Sequence, residues 1–124
     1  RFVTGDTWPD HVALTHGDLH PGHLLLDDAG RLTGIIDWTE ARVTDPGVDL
    51  SVFAGCFGRA ALERLLPRLE RRGARTWPRL ADHAVERWTI SPALAAEWAH
   101  RTDNAAVLQY ARDQLAALEA APPS

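Results

Sequence analysis

Residues 16–28 read HGDLHPGHLLLDD, three histidines and three aspartates in one short run. Side chains of these types hold divalent ions or move protons. They also line ordinary wet loops. The zinc reading comes first. His16 and His20 stand four apart and His23 three further on, so one helix face could present all three, as in zinc sites. Gly17, Pro21 and Gly22 break that helix. The residue after His16 is also not the glutamate that hydrolytic zinc helices place there. The spacing therefore separates the histidines instead of grouping them.

A second chemistry fits the same residues. The catalytic loop of protein kinases runs His, Arg, Asp, four residues, then Asn. Here His16, Gly17 and Asp18 are followed by four residues and His23. A carboxylate at position 18 can orient or accept the proton of an attacking hydroxyl. His23, across a tight turn, can reach a metal ion, although nitrogen is an unusual ligand for magnesium. Such sites need a second metal ligand on a hairpin after the loop. "GIIDWTEA" supplies Asp37 at the end of an apolar strand. "DPGVDL" then brings Asp45, which can hold a loop, and Asp49. At a helix start, Asp49 can accept backbone N–H groups of the loop or bond His16. Turn and cap chemistry accounts for Asp45 and Asp49 equally well. His16 and His20 read as scaffold that shapes the loop.

The elements that must position these residues are legible in outline. "HVALT" alternates like a short strand leading into the loop. "HLLLD" and "LTGIIDW", separated by "DAGR", read as a hairpin with Gly30 in its turn. After Pro46 the periodicity is helical. Val52, Phe53, Cys56 and Phe57 form one stripe. Leu62, Leu65, Leu66 and Leu69 form another, ended by Gly73 and broken or kinked at Pro67. Thr76 is expected to cap a third helix, with Pro78 in its first turn and Ala81, Ala84, Val85 and Trp88 as its apolar face. Ser91 and Pro92 read as the start of a fourth, containing Leu94 and Trp98. Thr102 or Asp103 is expected to cap a fifth, facing inward with Val107, Leu108, Ala111, Leu115 and Leu118. The tail "AAPPS" is expected to fray. The fold class is α+β, a small β-hairpin region followed by about five helices. Most of the five tryptophans are expected in the core, with one or two lining a groove.

Composition narrows the partners. The 124 residues fit one domain. No apolar run is long enough to span a bilayer, and residues 1–15 show no signal-peptide pattern. Cys56 is alone, which excludes an internal disulfide framework or a thiolate zinc cluster and makes a cytoplasmic setting the default. Residues 1–50 carry nine acids against three arginines, a net of −6, and residues 51–124 carry eight against ten, a net of +2. The acidic half holds the histidine run, which suits a cation-binding site better than a nucleic-acid surface.

"LTHGDLHPGHLLLD", "GIIDWTEARVTDPGVDL" and the helical remainder resemble the C-terminal lobe of the aminoglycoside/macrolide phosphotransferase family, whose fold is protein-kinase-like. The loop "HGDLHPGH", with His in place of Asn, "DWTEA" and "TWPRLADHAVERW" are most similar to macrolide 2′-phosphotransferases. The resemblance covers nearly the whole chain. It implies Asp18 as the catalytic aspartate, His23 and Asp37 as magnesium ligands, and His16, Asp45 and Asp49 as support for the loop. It further implies transfer of the γ-phosphoryl of GTP or ATP to the 2′-hydroxyl of a macrolide, with Mg2+ as cofactor. No nucleic-acid or membrane partner is expected. The helices after residue 50 would form an apolar wall for the acceptor.

One half of such an enzyme is not visible in the sequence. There is no lysine, and the nine glycines form neither G-x-G-x-x-G nor a Walker loop. The chain has no methionine, and only fifteen residues precede His16. The expectation is therefore residues 1–124 as the acceptor- and metal-binding lobe alone, without the nucleotide lobe, and inactive by itself. Two other readings stay open. One is phosphorylation of an aminoglycoside or a metabolite alcohol, and the other is a non-catalytic ligand-binding remnant. A zinc hydrolase is a more distant third.

Overall fold

The histidine run is held between two short antiparallel pairs of strands. β1 (Ala13–Thr15) ends where the run begins. After a 3₁₀ turn at Pro21–His23, β2 (Leu24–Leu26) and β3 (Leu32–Ile35) form the hairpin that the sequence suggests. Asp27 and Gly30 close its turn: Gly30 N–H donates to the Asp27 carbonyl at 2.9 Å and Gly30 has φ +74°. Leu24 pairs with Ile35, Leu25 with Gly34 and Leu26 with Leu32, with a bulge between Leu25 and Leu26.

β4 (Arg42–Thr44) then returns to β1, with Leu14 opposite Val43 and Thr15 opposite Arg42. This pairing matters for everything downstream. The histidine run follows β1 directly, and the Asp45–Asp49 segment follows β4 directly. Because the pair is antiparallel, these two exits lie at opposite ends of it, and Asp49, in the first turn of the helix that follows, reaches back to the His16 N–H. Sequence reading missed β4, because three residues are too few to show a period of two.

In this computed structural model, residues 7–120 are described. They divide into two units, which part between Trp88 and Thr89. The first unit holds both strand pairs, α1 (Gly47–Phe57), α2 (Arg59–Glu70) and the beginning of α3 (Leu80–Arg101). Its core cluster is Ala54, Leu62, Ala81 and Ala84, with Leu50, Phe53, Leu65, Leu66 and Val85 packed against it. Leu62 is fully buried, and removing such a side chain from water contributes about 1.5–3 kcal/mol. The second unit contains the rest of α3 and α4 (Ala105–Ala120), with Ala99 and Ala111 buried. No helix among the described residues is long and apolar enough to cross a membrane.

Five helix expectations need correction. Among the described residues four α-helices form where about five were expected, because Ser91 and Pro92 lie inside a continuous α3. Pro92 costs that helix one N–H···O=C bond, to Trp88, which is where the two units divide. Pro67 likewise sits inside α2 without breaking it, at the loss of the one N–H···O=C bond it would have made to Glu63. The inward face of α1 is Gly47, Ser51 and Ala54, while Cys56 and Phe57 are exposed. Thr76 bonds the Glu70 carboxylate instead of capping α3, and Pro78 lies in the turn before that helix. Asn104 caps α4, its side-chain oxygen accepting from Val107 N–H at 3.1 Å. Asp103, at φ +53°, and Thr102, whose hydroxyl donates to the Trp98 carbonyl, instead finish α3.

None of the tryptophans is fully buried. Trp8, Trp77 and Trp88 are half-buried, and Trp38 and Trp98 are exposed. Gly73, at φ +91°, terminates the stretch after α2. The tail from residue 121 lies outside the described residues.

Candidate active site

Thr15 delivers the chain into the loop at His16, which is buried to 3% exposure. Both ring nitrogens of His16 are committed. Nε2 lies 2.8 Å from the Ile36 carbonyl, which can only accept, so this nitrogen carries the proton. Nδ1 then accepts the Asp18 N–H at 3.3 Å. His16 is thereby a strut between the loop and β3's end, with no lone pair left for a metal.

Gly17 follows with φ +88°, a region that disfavours side chains. A Cβ there would fall 2.3 Å from the Glu40 carbonyl oxygen, so backbone packs directly on backbone. Asp49, in the first turn of α1, grips this point from the other side. Its two carboxylate oxygens accept His16 N–H at 2.7 Å and Gly17 N–H at 3.1 Å. Bonds of this kind, with a charged acceptor, are about twice as strong as neutral ones.

Asp18 is consequently fixed by its backbone and free at its carboxylate. Its N–H goes to His16, and its carbonyl accepts from His23 Nδ1 at 2.8 Å. Its side chain is 56% exposed, and Oδ2 lies 4.0 Å from His23 Nδ1. His20 caps the 3₁₀ turn, its Nδ1 accepting Gly22 N–H at 3.1 Å. The His20 and His23 rings lie 3.8 Å apart, centroid to centroid.

His23 is the ring that can act as a ligand. With its Nδ1 proton spent on the Asp18 carbonyl, Nε2 presents a lone pair, and Asp37 Oδ2 lies 3.5 Å from it. Two electron-rich atoms face each other across a gap that a shared cation can bridge. Asp37 reaches this position through its backbone: φ is +60°, which turns the carboxylate off the end of β3. Aspartate tolerates this left-handed conformation better than most residues. The Thr39 hydroxyl donates to Asp37 Oδ1 at 2.6 Å. That bond outweighs the effect of burial and holds the Asp37 carboxyl below the ordinary aspartate range, so it stays ionised.

A second donor group overlaps the first. Ligand atoms of Asp18, His20 and His23 lie within 4.8 Å of one another. His23 is thus shared between Asp18 and His20 on the loop and Asp37 beyond the hairpin, while both ring nitrogens of His16 are already bonded. Trp38 leans on His16, with ring centroids 4.7 Å apart, and is half exposed beside the site.

Asp45 sits further back, 6% exposed. Oδ1 accepts Gly47 N–H at 2.7 Å, while Oδ2 meets His83 Nε2 at 2.8 Å and Arg87 Nη1 at 3.3 Å. Burial pushes its carboxyl up, but the His83 and Gly47 bonds and the charges of His83 and Arg87 outweigh this, and the net direction is down. Sequence reading missed His83, Arg87 and Thr7 as partners. They lie 38 or more residues from the groups they bond, and no local pattern links them.

Residues 4–83 match the model of the phosphotransferase enzyme family, covering the loop, the hairpin and the Asp45–Asp49 segment. The chain belongs to this family. Among solved structures it is similar to macrolide 2′-phosphotransferase type I, 42% identical with a TM-score of 0.79, over 88% of this chain and 36% of that one. The apoenzyme of macrolide 2′-phosphotransferase MphH from Brachybacterium faecium is 35% identical, with a TM-score of 0.68, over 98% and 39%. Among curated proteins, YcbJ of Bacillus subtilis (strain 168), an uncharacterized protein, is 40% identical over 103 residues, 82% of this chain and 34% of that protein. Viomycin phosphotransferase of Streptomyces vinaceus is 35% identical over 57 residues, 44% of this chain and 20% of that protein. The α+β unit described above therefore corresponds to the C-terminal region of a kinase-like phosphotransferase. This phosphotransferase chain spans 34% of the length of YcbJ and a smaller share of viomycin phosphotransferase.

Proposed function

We propose that this chain provides the acceptor and metal side of a phosphotransferase that moves the γ-phosphoryl of GTP or ATP to the 2′-hydroxyl of a macrolide. The observation that carries the reading is the exposed Asp18 carboxylate on a loop whose backbone is pinned by Asp49 and His16. Phosphoryl transfer depends almost wholly on positioning and charge. A carboxylate fixed at its backbone and free at its tip suits the task of orienting an attacking hydroxyl.

His23 and Asp37 are the residues that would hold magnesium. Their facing lone pairs fit a shared cation. Such an ion, when bound, neutralises charge on phosphate oxygens. The acidic balance of residues 1–50 agrees with an amino-sugar acceptor that carries positive charge. The likeness to macrolide 2′-phosphotransferases at 35–42% identity supports the macrolide as acceptor. The 57-residue likeness to viomycin phosphotransferase favours testing other antibiotics beside it.

The longer phosphotransferase that contains this chain is the material for the test. With Mg2+ and GTP or ATP, a panel of macrolides, aminoglycosides and viomycin is followed by mass spectrometry. Phosphorylated macrolide is expected, and Asp18→Asn abolishes it. Product from an aminoglycoside or viomycin alone would remove the macrolide assignment. The 124-residue chain alone is expected to give no product with any acceptor.

A further inference from the structure

The network around Asp45 has more connections than a helix cap requires. Its Oδ1 bond to Gly47 N–H, together with Val48 N–H donating to the Asp45 carbonyl at 3.1 Å, already satisfies the start of α1. Oδ2 is used differently. It ties α1 to His83 and Arg87, 38 and 42 residues downstream on α3.

His83 is itself locked in place, with a side chain only 11% exposed. A carboxylate can only accept, so Nε2 carries the proton that bonds Asp45. Nδ1 meets the Thr7 hydroxyl at 3.1 Å. Thr7 is 2% exposed, bonds Glu86 Oε2 at 3.0 Å, and accepts the Trp77 indole N–H at its carbonyl at 2.7 Å. The Trp8 ring stacks near the imidazole at an interplanar angle of 16°, and Trp77 flanks it at 51°.

Gly47 explains how so large a ring comes this close to the helix. A Cβ at Gly47 would lie 2.7 Å from His83 Cδ2 and Nε2. The imidazole therefore rests on the bare backbone of α1's first turn. Asp49 is two residues further along the same turn, about 3 Å along the helix axis. Its oxygens hold the amides of His16 and Gly17. The path from His83 to the histidine run is thus a hydrogen bond, one helical turn and a second pair of hydrogen bonds.

We propose that His83 is a positioning residue for the histidine loop: through Asp45 it fixes the first turn of α1, and through Asp49 it fixes the backbone that aims Asp18. The catalytic meaning of that aim rests on the phosphotransferase reading above. The mechanical link does not, and it is measured separately.

Two variants divide the ring's functions. His83→Gln can place a donor near the Nε2 position and keep the bond to Asp45. His83→Asn keeps a polar group on the Thr7 side and is too short to reach Asp45. In the 15N-labelled chain, the amide protons of Gly47, His16 and Gly17 report their carboxylate bonds. His83→Asn is expected to move all three upfield, and His83→Gln to leave them near their wild-type positions. Gly47→Ala, which drives a methyl into the ring, is expected to follow His83→Asn. If His83→Asn moves Gly47 alone, with His16 and Gly17 unchanged, the clasp is local and the proposal fails. The same two variants in the longer phosphotransferase are expected to split: Asn lowers kcat by up to about 100-fold with little change in acceptor KM, and Gln restores it. If the wild type phosphorylates none of the acceptors, the functional reading falls and the amide measurement still decides the link.

Discussion

The histidine loop and the helical core lie in the same unit and are built on opposite terms. The core around Leu62, Ala54, Ala81 and Ala84 is held by apolar burial, in which many weak contacts share the work. The loop from His16 to His23 is held by individual hydrogen bonds, each with one donor and one acceptor. A core of the first kind fails gradually, in proportion to the volume removed. A loop of the second kind can lose its geometry by the loss of a single partner while the fold survives. Stability and chemistry are therefore separable in this molecule.

Three substitutions sharpen that contrast. Leu62→Ala should cost the most, about 2–5 kcal/mol in urea unfolding, because a fully buried side chain leaves a cavity. Gly17→Ala comes next. Its Cβ must fit beside the Glu40 carbonyl at a positive φ, and a loss of about 1–3 kcal/mol is expected, accompanied by displaced His16 and Gly17 amide resonances. Asp18→Asn should change stability by no more than about 0.5 kcal/mol, since its side chain is mostly exposed. If Asp18→Asn destabilised the fold as much as Leu62→Ala, the separation of stability from chemistry would be wrong.

Acid provides a fourth comparison. Asp45 is held below the ordinary aspartate value of 3.8, so the folded state binds its proton less readily than the unfolded chain. Its contribution to stability is complete above that value and disappears as the pH falls through the lowered one. In Asp45→Asn, the fall of stability in acid is expected to be shallower than in the wild type, by urea unfolding at a series of pH values. An equal slope in the two proteins would mean that the carboxylate does not gain charge stabilisation from His83 and Arg87.

What the sequence disclosed follows the range of the interactions. The hairpin at Gly30 was readable because Asp27 and Gly30 form it among themselves. The grouping of His16, Asp18, His23, Asp37 and Asp49 was readable because each stands in a short motif. The β1–β4 pairing was not, since Arg42–Thr44 is short and its partner lies 27 or more residues away. Ser91 and Pro92 imitate a helix start. The imitation failed because cap preferences are small beside the advantage of continuing a helix whose Pro92 and Ala99 are buried. The Thr7–His83–Asp45 chain has no sequence signal at all, because its members are joined only by the folded backbone.

Asp37 carries a further consequence for anyone who alters it. Its left-handed backbone sets one requirement and its ionised carboxylate another, and common replacements confound the two. Alanine drops the charge and also resists the turn. Glycine accepts the turn and offers no ligand. Asparagine accepts the turn, keeps an oxygen at the same reach, and gives up only the charge. Comparing all three separates a fault in shape from a fault in electrostatics at one position.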